Sequence, residues 1–274
     1  MASGFSYRDG DIRTNKPVKT LQNGWVEPTG GISLFEDFIG IDVTLADNHN
    51  VTITQQGTPT TVAGISATAG TPAGHGGWLA GSVDNVDAEI DLVALGVLPW
   101  MLTSQGVSVG EVGFVIPTAL TARQYFFGLS DAVTEATATN GPLNIQSAYT
   151  LVDVATDAAG FIFSSLATAP TVWKYASTNA GTGSTVSAST ETITGVVDDY
   201  TRLRVEVDAA GNAYYYSLIV GSGSGRGREM NYVGMKAAAV ATTSILVPIF
   251  SAAATATTAV EWELDYLFGA TQSG

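Results

Sequence analysis

The segment Glu89-Ile90-Asp91-Leu92-Val93-Ala94 sets two carboxylates two positions apart in a stretch that alternates polar and apolar residues. On a β-strand, residues i and i+2 project from one face, so Glu89 and Asp91 are expected to point the same way. Two carboxyl groups on one face are the apparatus that cleaves a glycosidic bond, one donating a proton and the other attacking or activating water. The alternation assigns Ile90 and Leu92 to the buried face, with Glu89 and Asp91 on a solvated one.

The other candidate chemistry is sparser. His49 and His75 are the only histidines, each in a Gly- or Asn-rich loop context, and no nucleophile or metal spacing links them. The acid pairs Asp9/Asp11 and Asp84/Asp87 carry oxygens that suit calcium but lack the ligand count of a dedicated loop. Residues 221–229, GSGSGRGRE, imitate a phosphate loop without its Gly-Lys-Ser/Thr ending. They read as a hairpin tip whose Arg226 and Arg228 are candidate contacts to an anionic partner. Among the tryptophans, Trp262 alternates with core positions, while Trp78 and Trp100 are the better candidates for contact with a glycan or another partner. Glu261, Glu263 and Asp265 read as the outward face of a strand, as do Arg202, Arg204, Glu206 and Asp208.

These residues need strands to hold them, and the composition supplies strands. Charged residues make up 13% of the chain, where about a quarter is usual, and 31 glycines accompany abundant Thr, Ala, Ser and Val. Such a mixture favours short strands and turns over long helices. Val112, Phe114 and Ile116 share one face of a strand, as do Tyr125, Phe127 and Leu129. Leu203, Val205 and Val207 alternate before a turn at Gly211-Asn212, and a return strand follows through Tyr214–Val220. The last strand is expected to bury Trp262, Leu264, Tyr266 and Phe268. Only Met235–Ser244 carries any helical suggestion. Antiparallel strands at this spacing point to a two-sheet sandwich.

Residues 1–32 differ from the rest. They hold Arg8, Arg13, Lys16 and Lys19, lack periodicity and run into a Pro-Thr-Gly-Gly breaker at Pro28–Gly31. We read them as an extended arm that orders on a partner, with Phe5, Tyr7, Arg8, Arg13 and Trp25 as its contacts. The sandwich then occupies residues 33–274. A formal net charge of −14 argues against nucleic acid and an anionic membrane as partners. With no cysteine there is neither disulfide nor thiolate chemistry. The N-terminal stretch has no apolar core of a secretory signal, and no run of 18 apolar residues occurs, so synthesis in a cytoplasm is expected.

The hairpin LRVEVDAAGNAYYY followed by VEWELDYLFG resembles the concanavalin A-like lectin and glucanase jelly roll. The order YFFGLSDA, AGFIFSS, VWKYASTNAG and the hairpin is similar, more narrowly, to virion proteins of tailed phages built on that fold. The resemblance covers roughly Ser33 to the C-terminus. Laminarinase-type glucanases of this fold carry Glu-x-Asp-x-x-Glu, in which the last Glu is the acid/base. Here Glu89 and Asp91 match and Ala94 stands in the last place, so the resemblance implies no hydrolysis. It implies an all-β, antiparallel jelly-roll sandwich without cofactor or metal. The expected function is a non-enzymatic capsid decoration or cement protein on the virion surface, made in the host cytoplasm. The major capsid protein and further copies of the chain are the expected partners. The alternative is a carbohydrate-binding module of a tail fibre or host-recognition device.

Overall fold

The computed structural model describes residues 32–36, 51–56, 60–63, 79–83, 90–96, 99–117, 120–132, 141–147, 150–153, 155–167, 171–183, 193–220, 230–256 and 260–273. Nineteen strands run through them. In chain order they begin with β1 (Ile32–Glu36), β2 (Val51–Gln56), β3 (Thr60–Ala63), β4 (Leu79–Val83), β5 (Ile90–Leu95) and β6 (Met101–Leu102). The long central strands follow as β7 (Gly106–Val115), β8 (Arg123–Ser130), β9 (Leu143–Ser147), β10 (Thr150–Asp153), β11 (Ala158–Ser164) and β12 (Val172–Asn179). The chain continues through β13 (Thr182–Gly183), β14 (Ile193–Thr194), β15 (Tyr200–Val207), β16 (Ala213–Val220), β17 (Asn231–Lys236), β18 (Ile245–Ala254) and β19 (Val260–Ser273). Among the described residues, one 3-10 turn, Thr103–Gln105, is the only helical element.

Two antiparallel sheets form the body. The first runs β17-β16-β15-β7-β19-β4-β3, with β1 also paired to β19. The second runs β13-β12-β11-β8-β18-β5-β2, with β14 on β12 and β6 on β18. β1 begins at Ile32, one residue ahead of the expected start of the sandwich. The strands form where β-branched and aromatic residues alternate, because those side chains fit a pleated, half-buried surface.

Aromatic rings bridge the two sheets. Phe114 meets Trp173 at 5.5 Å and Phe250 at 5.6 Å between ring centroids, and Phe250 meets Trp262 at 5.6 Å. At the other end of the core, Tyr215 stacks on Tyr175 at 4.5 Å and abuts Phe161 edge-on at 5.5 Å. All of these side chains are buried. The expected inward faces of β7, β8 and β15 are therefore as read from the sequence.

The turn into β16 is built by Asp208, whose Oδ1 accepts from the backbone N–H groups of Ala210 and Asn212, both at 2.9 Å. Gly211 adopts φ +77°, and a Cβ there would lie 2.3 Å from the Val240 carbonyl oxygen. Met235–Ser244 is no helix: it ends β17 and continues through turns. Ala239 and Val240 pack in the core, and the Asp157 carboxylate accepts the Ala241 N–H at 2.7 Å. Those tertiary contacts override a weak local preference.

Candidate functional site

The carboxylate strand does not present an acid pair. Asp91 is buried, and the Trp262 indole N–H donates to its Oδ2 at 3.0 Å from the opposite sheet. Gly81 makes room for that ring, since a Cβ at position 81 would lie 2.1 Å from Trp262 Cζ2. The expected solvated orientation of Asp91 is thus corrected: the acid serves as the internal acceptor for a buried indole. Ile90, expected inside the sandwich, lies near Gly141 and Ser251 on the other side of β5. Ala94 is buried, and Glu89 lies outside the described residues.

The outer face of the second sheet is filled by the chain itself. The β9–β10 hairpin lays Leu143 and Ile145 in a cluster with Phe126, Ala158, Ile162 and Ala176. Gln124 on β8 fixes it: its Oε1 accepts the Ile145 N–H at 3.0 Å and its Nε2 donates to Asn144 Oδ1 at 2.7 Å.

The outer face of the first sheet carries a buried polar network centred on Glu111 of β7. This side chain is fully buried. Its Oε1 accepts from Arg202 Nη2 at 2.5 Å, Arg202 Nε at 3.2 Å and the Tyr266 hydroxyl at 2.6 Å. Oε2 makes no hydrogen bond, and Arg204 Nη1 stands 3.7 Å from it. Arg204 Nη2 instead pairs with Glu206 Oε1 at 2.5 Å. Tyr200 donates to Asp265 Oδ2 at 2.5 Å. Gly113 gives the two tyrosines their place, since a Cβ there would lie 2.3 Å from the Tyr200 hydroxyl and 2.5 Å from Tyr266 Cε1. Phe35 of β1 stacks on Tyr266 at 5.6 Å.

Burial opposes the Arg202 charge, but Tyr266 and Glu111 outweigh it and hold the guanidinium pKa above its usual value. Burial first, then the Glu111 charge, lifts Tyr266 well above the ordinary phenol range. Burial and Asp265 do the same for Tyr200. The raised values keep the protons on Arg202, Tyr200 and Tyr266, so all three act as hydrogen-bond donors to the carboxylates of Glu111 and Asp265.

Three sequence expectations are corrected here. Arg202 and Arg204 do lie on the outer face, yet both are buried, because they lie down over Glu111 instead of reaching into water. In β19 the pairing with β7 shifts between Leu264 and Tyr266. Trp262 and Leu264 accordingly enter the main core, whereas Tyr266 and Phe268 join a separate cluster with Val109 and Phe35. Glu263, expected to be solvated, is buried. Sequence reasoning passed over Glu111. Its signal was a lone acid in an otherwise uncharged strand, opposite a strand with arginines two residues apart.

Beyond this network the same face opens to solvent. Tyr214 and Tyr216 of β16 are half-buried, while Tyr232 and Met235 of β17 are 49% and 45% exposed. The rings of Tyr216 and Tyr232 meet edge-on at 5.7 Å. The Tyr214 hydroxyl donates to Asp208 Oδ2 at 3.1 Å.

Of the residues singled out from sequence, Trp100 is half-buried, and its indole N–H donates to the Leu95 carbonyl at 2.9 Å. Phe5, Tyr7, Arg8, Arg13, Trp25, His49, His75, Trp78, Arg226, Arg228 and the acid pairs at 9/11 and 84/87 lie outside the described residues. Among the described residues no three His, Cys, Asp or Glu side chains gather as metal ligands. No described helix is long and apolar enough to cross a membrane.

No family model matches the chain, and no curated protein matches it in sequence. Solved structures do match in shape. A protein of unknown function from Shewanella oneidensis is similar with a TM-score of 0.56 at 13% identity, over 88% of this chain and 86% of that one. Peanut lectin is similar with a TM-score of 0.51 at 10% identity, over 88% and 97%. The exoplasmic/lumenal domain of VIP36, in its Ca2+/Man-bound form, gives 0.51 at 10% identity, over 88% and 89%. At such identities the likeness is one of fold. The chain is a concanavalin A-like jelly-roll β-sandwich of the kind seen in legume and L-type lectins.

Proposed function

We propose that this chain is a non-catalytic structural protein of a tailed-phage virion, a decoration or cement protein that attaches to the outer capsid shell. The observation that carries the non-catalytic part is the inward turn of Asp91 onto Trp262. With Ala94 also buried, β5 offers no second carboxyl to complete a hydrolytic pair. The virion part rests on the similarity of YFFGLSDA and the segments after it to phage virion proteins. A rigid core of interlocked aromatics and a buried ionic network suit a shell component with no disulfide to brace it.

In this reading the arm supplies the grip. Phe5, Tyr7, Arg8, Arg13 and Trp25 meet the major capsid protein, and several copies of the chain assemble on the shell surface after synthesis in the host cytoplasm. Arg226 and Arg228 are secondary contacts. The test is cosedimentation of the purified chain with capsids that lack it. Full-length protein should pellet at saturating, symmetry-defined copy number, and a chain deleted of residues 1–30 should stay folded and in the supernatant. Equal decoration by both would sink the arm as the grip.

Carbohydrate binding is the second reading. The lectin-like fold favours it, as does the half-exposed tyrosine surface of β16 and β17, since flat aromatic faces stack on sugars. Trp78 and Trp100 are further candidate contacts under it. Binding on a glycan array, lost in Tyr232→Ala and absent from capsids, would favour this reading over the first.

A further inference from the structure

We propose that Tyr216 and Tyr232 form an oxidative cross-linking site, at which a one-electron oxidant of the peroxidase or photo-oxidised-metal class joins them as dityrosine across the β16–β17 pair. The inference is independent of the partner proposed above. It rests on three features that occur together in no other described tyrosine pair.

The first is register. Tyr216 stands directly opposite Tyr232, at the point where the pairing of β16 with β17 shifts by one residue. The rings meet at 5.7 Å between centroids with an interplanar angle of 65°. This edge-on approach brings ring carbons of one phenol to the other, and rotation about the side-chain bonds of the outer, exposed ring closes the rest. The second is access, for Tyr232 is 49% exposed while Tyr216 remains half-buried behind it. The third is freedom of the phenols. The pair Tyr175 and Tyr215 is closer, at 4.5 Å, but stacks inside the core, and Tyr200 and Tyr266 are held by Asp265 and Glu111.

The chemistry balances as follows. Each phenol gives one electron to one equivalent of oxidant, and its hydroxyl proton passes to water. Spin in each phenoxyl radical lies partly on the ring carbons ortho to oxygen. One carbon–carbon bond forms between those carbons, and the ring protons at the new bond move to the oxygens to restore two phenols. The product has lost two hydrogens, and two equivalents of oxidant have been reduced. The new bond covalently closes the hairpin at the last strand of the first sheet.

The test uses the full chain, illuminated with a ruthenium tris-bipyridyl complex and persulfate, then read by intact mass, dityrosine fluorescence and tryptic mapping. Trypsin cuts after Arg204, Arg226, Arg228 and Lys236, so the product should join peptide 205–226 to peptide 229–236 through Tyr216 and Tyr232. Loss of two hydrogens by a monomer is expected, with the cross-linked peptide missing in Tyr232→Phe and in Tyr216→Phe. Both variants keep their rings, and circular dichroism checks that they fold. The proposal is overturned if the monomeric product persists in either variant, if the bond maps to Tyr214 or another tyrosine, or if the protein forms only cross-linked dimers.

Discussion

Replacing Glu111 by Gln tests whether the outer-face network holds the first sheet together. The substitution keeps the shape of the side chain and one carbonyl acceptor but removes its charge. Arg202 would then be a buried cation deprived of the carboxylate that accepts from its Nε and Nη2. Breaking a buried pair by removing one partner costs about 3–5 kcal/mol, most of it the desolvation of the charge left behind. For a domain of this size about 2–4 °C of melting temperature goes with each kcal/mol, so a fall on the order of 10 °C is expected. Thermal unfolding followed by far-ultraviolet circular dichroism would measure that fall, and urea unfolding followed by tryptophan fluorescence the free energy, with an unchanged m-value showing that the end states are comparable. A companion variant, Glu111→Leu with Arg202→Met and Tyr266→Phe, removes the Glu111 and Arg202 charges and the Tyr266 hydroxyl at once and leaves Arg204 to its pair with Glu206. Apolar replacement of a whole buried pair is often neutral or stabilising, so the triple variant should recover most of the loss. If Glu111→Gln lies within about 0.5 kcal/mol of the parent, the range of ordinary surface changes, the carboxylate is solvated and the argument from burial fails. If the triple variant is no better than the single one, shape and not charge is what the network supplies.

Other expectations follow from individual contacts. Gly113→Ala should destabilise by about 1–3 kcal/mol, the usual cost of forcing a methyl into packed space, because Tyr200 and Tyr266 occupy that space; Tyr266→Phe/Gly113→Ala measured by urea unfolding shows whether the two effects couple. Asp91→Ala should cost about 1–3 kcal/mol by stranding the Trp262 indole N–H, while glucan hydrolysis stays at background in parent and variant alike. In alkaline titration followed by phenolate absorbance, Tyr125, pushed up to about 12 by burial, should resist ionisation with Tyr200, Tyr215 and Tyr266. Because these pKa values are raised, the stability from the neutral phenols is whole below about pH 10 and is lost as pH climbs through the folded-state values. Ionisation of all ten tyrosines near pH 10 without unfolding would contradict the burial.

Much of the fold was legible because alternation is a direct record of which face is wet. Leu203, Val205 and Val207, or Tyr125, Phe127 and Leu129, leave no second reading once a strand is assumed. The turn at Gly211 was equally plain, since Asp208 and Asn212 flank a residue that must reach positive φ. Alternation misleads where both faces of a strand are buried and an acid sits among the apolar residues, and that is the condition of β5, where Ile90 and Asp91 exchange their expected sides. Asp91 looked solvated because acids usually are; nothing local signals that an indole from a strand 171 residues away takes its carboxylate. Met235–Ser244 carried a helical hint that Asp157 and the core contacts of Val240 overrule.

The irregularity in β19 explains why the outer-face network exists at all. In an unbroken strand Tyr266 and Phe268 would follow Trp262 and Leu264 into the core, and Asp265 would share a face with Glu261 and Glu263. A shift of one residue exchanges the faces of everything beyond it. Here the shift between Leu264 and Tyr266 delivers two aromatic side chains to the outside of the sheet, over Gly113 and beside Glu111. An apolar outer face would be a liability unless covered, and the cover is made by Arg202, Arg204 and Phe35, whose charges Glu111 and Glu206 then balance. The opposite sheet solves the same problem differently, with the β9–β10 hairpin and its apolar cluster. Both broad central faces are therefore spent on stability, and the tyrosine surface of β16 and β17 is where the first sheet still meets solvent with aromatic rings. A partner of any kind that engages this sheet face should protect Tyr232 from oxidation. Footprinting of Tyr232 in the free and capsid-bound chain measures that directly. Equal labelling in the two states would exclude this sheet face as a contact and leave the grip to the arm alone.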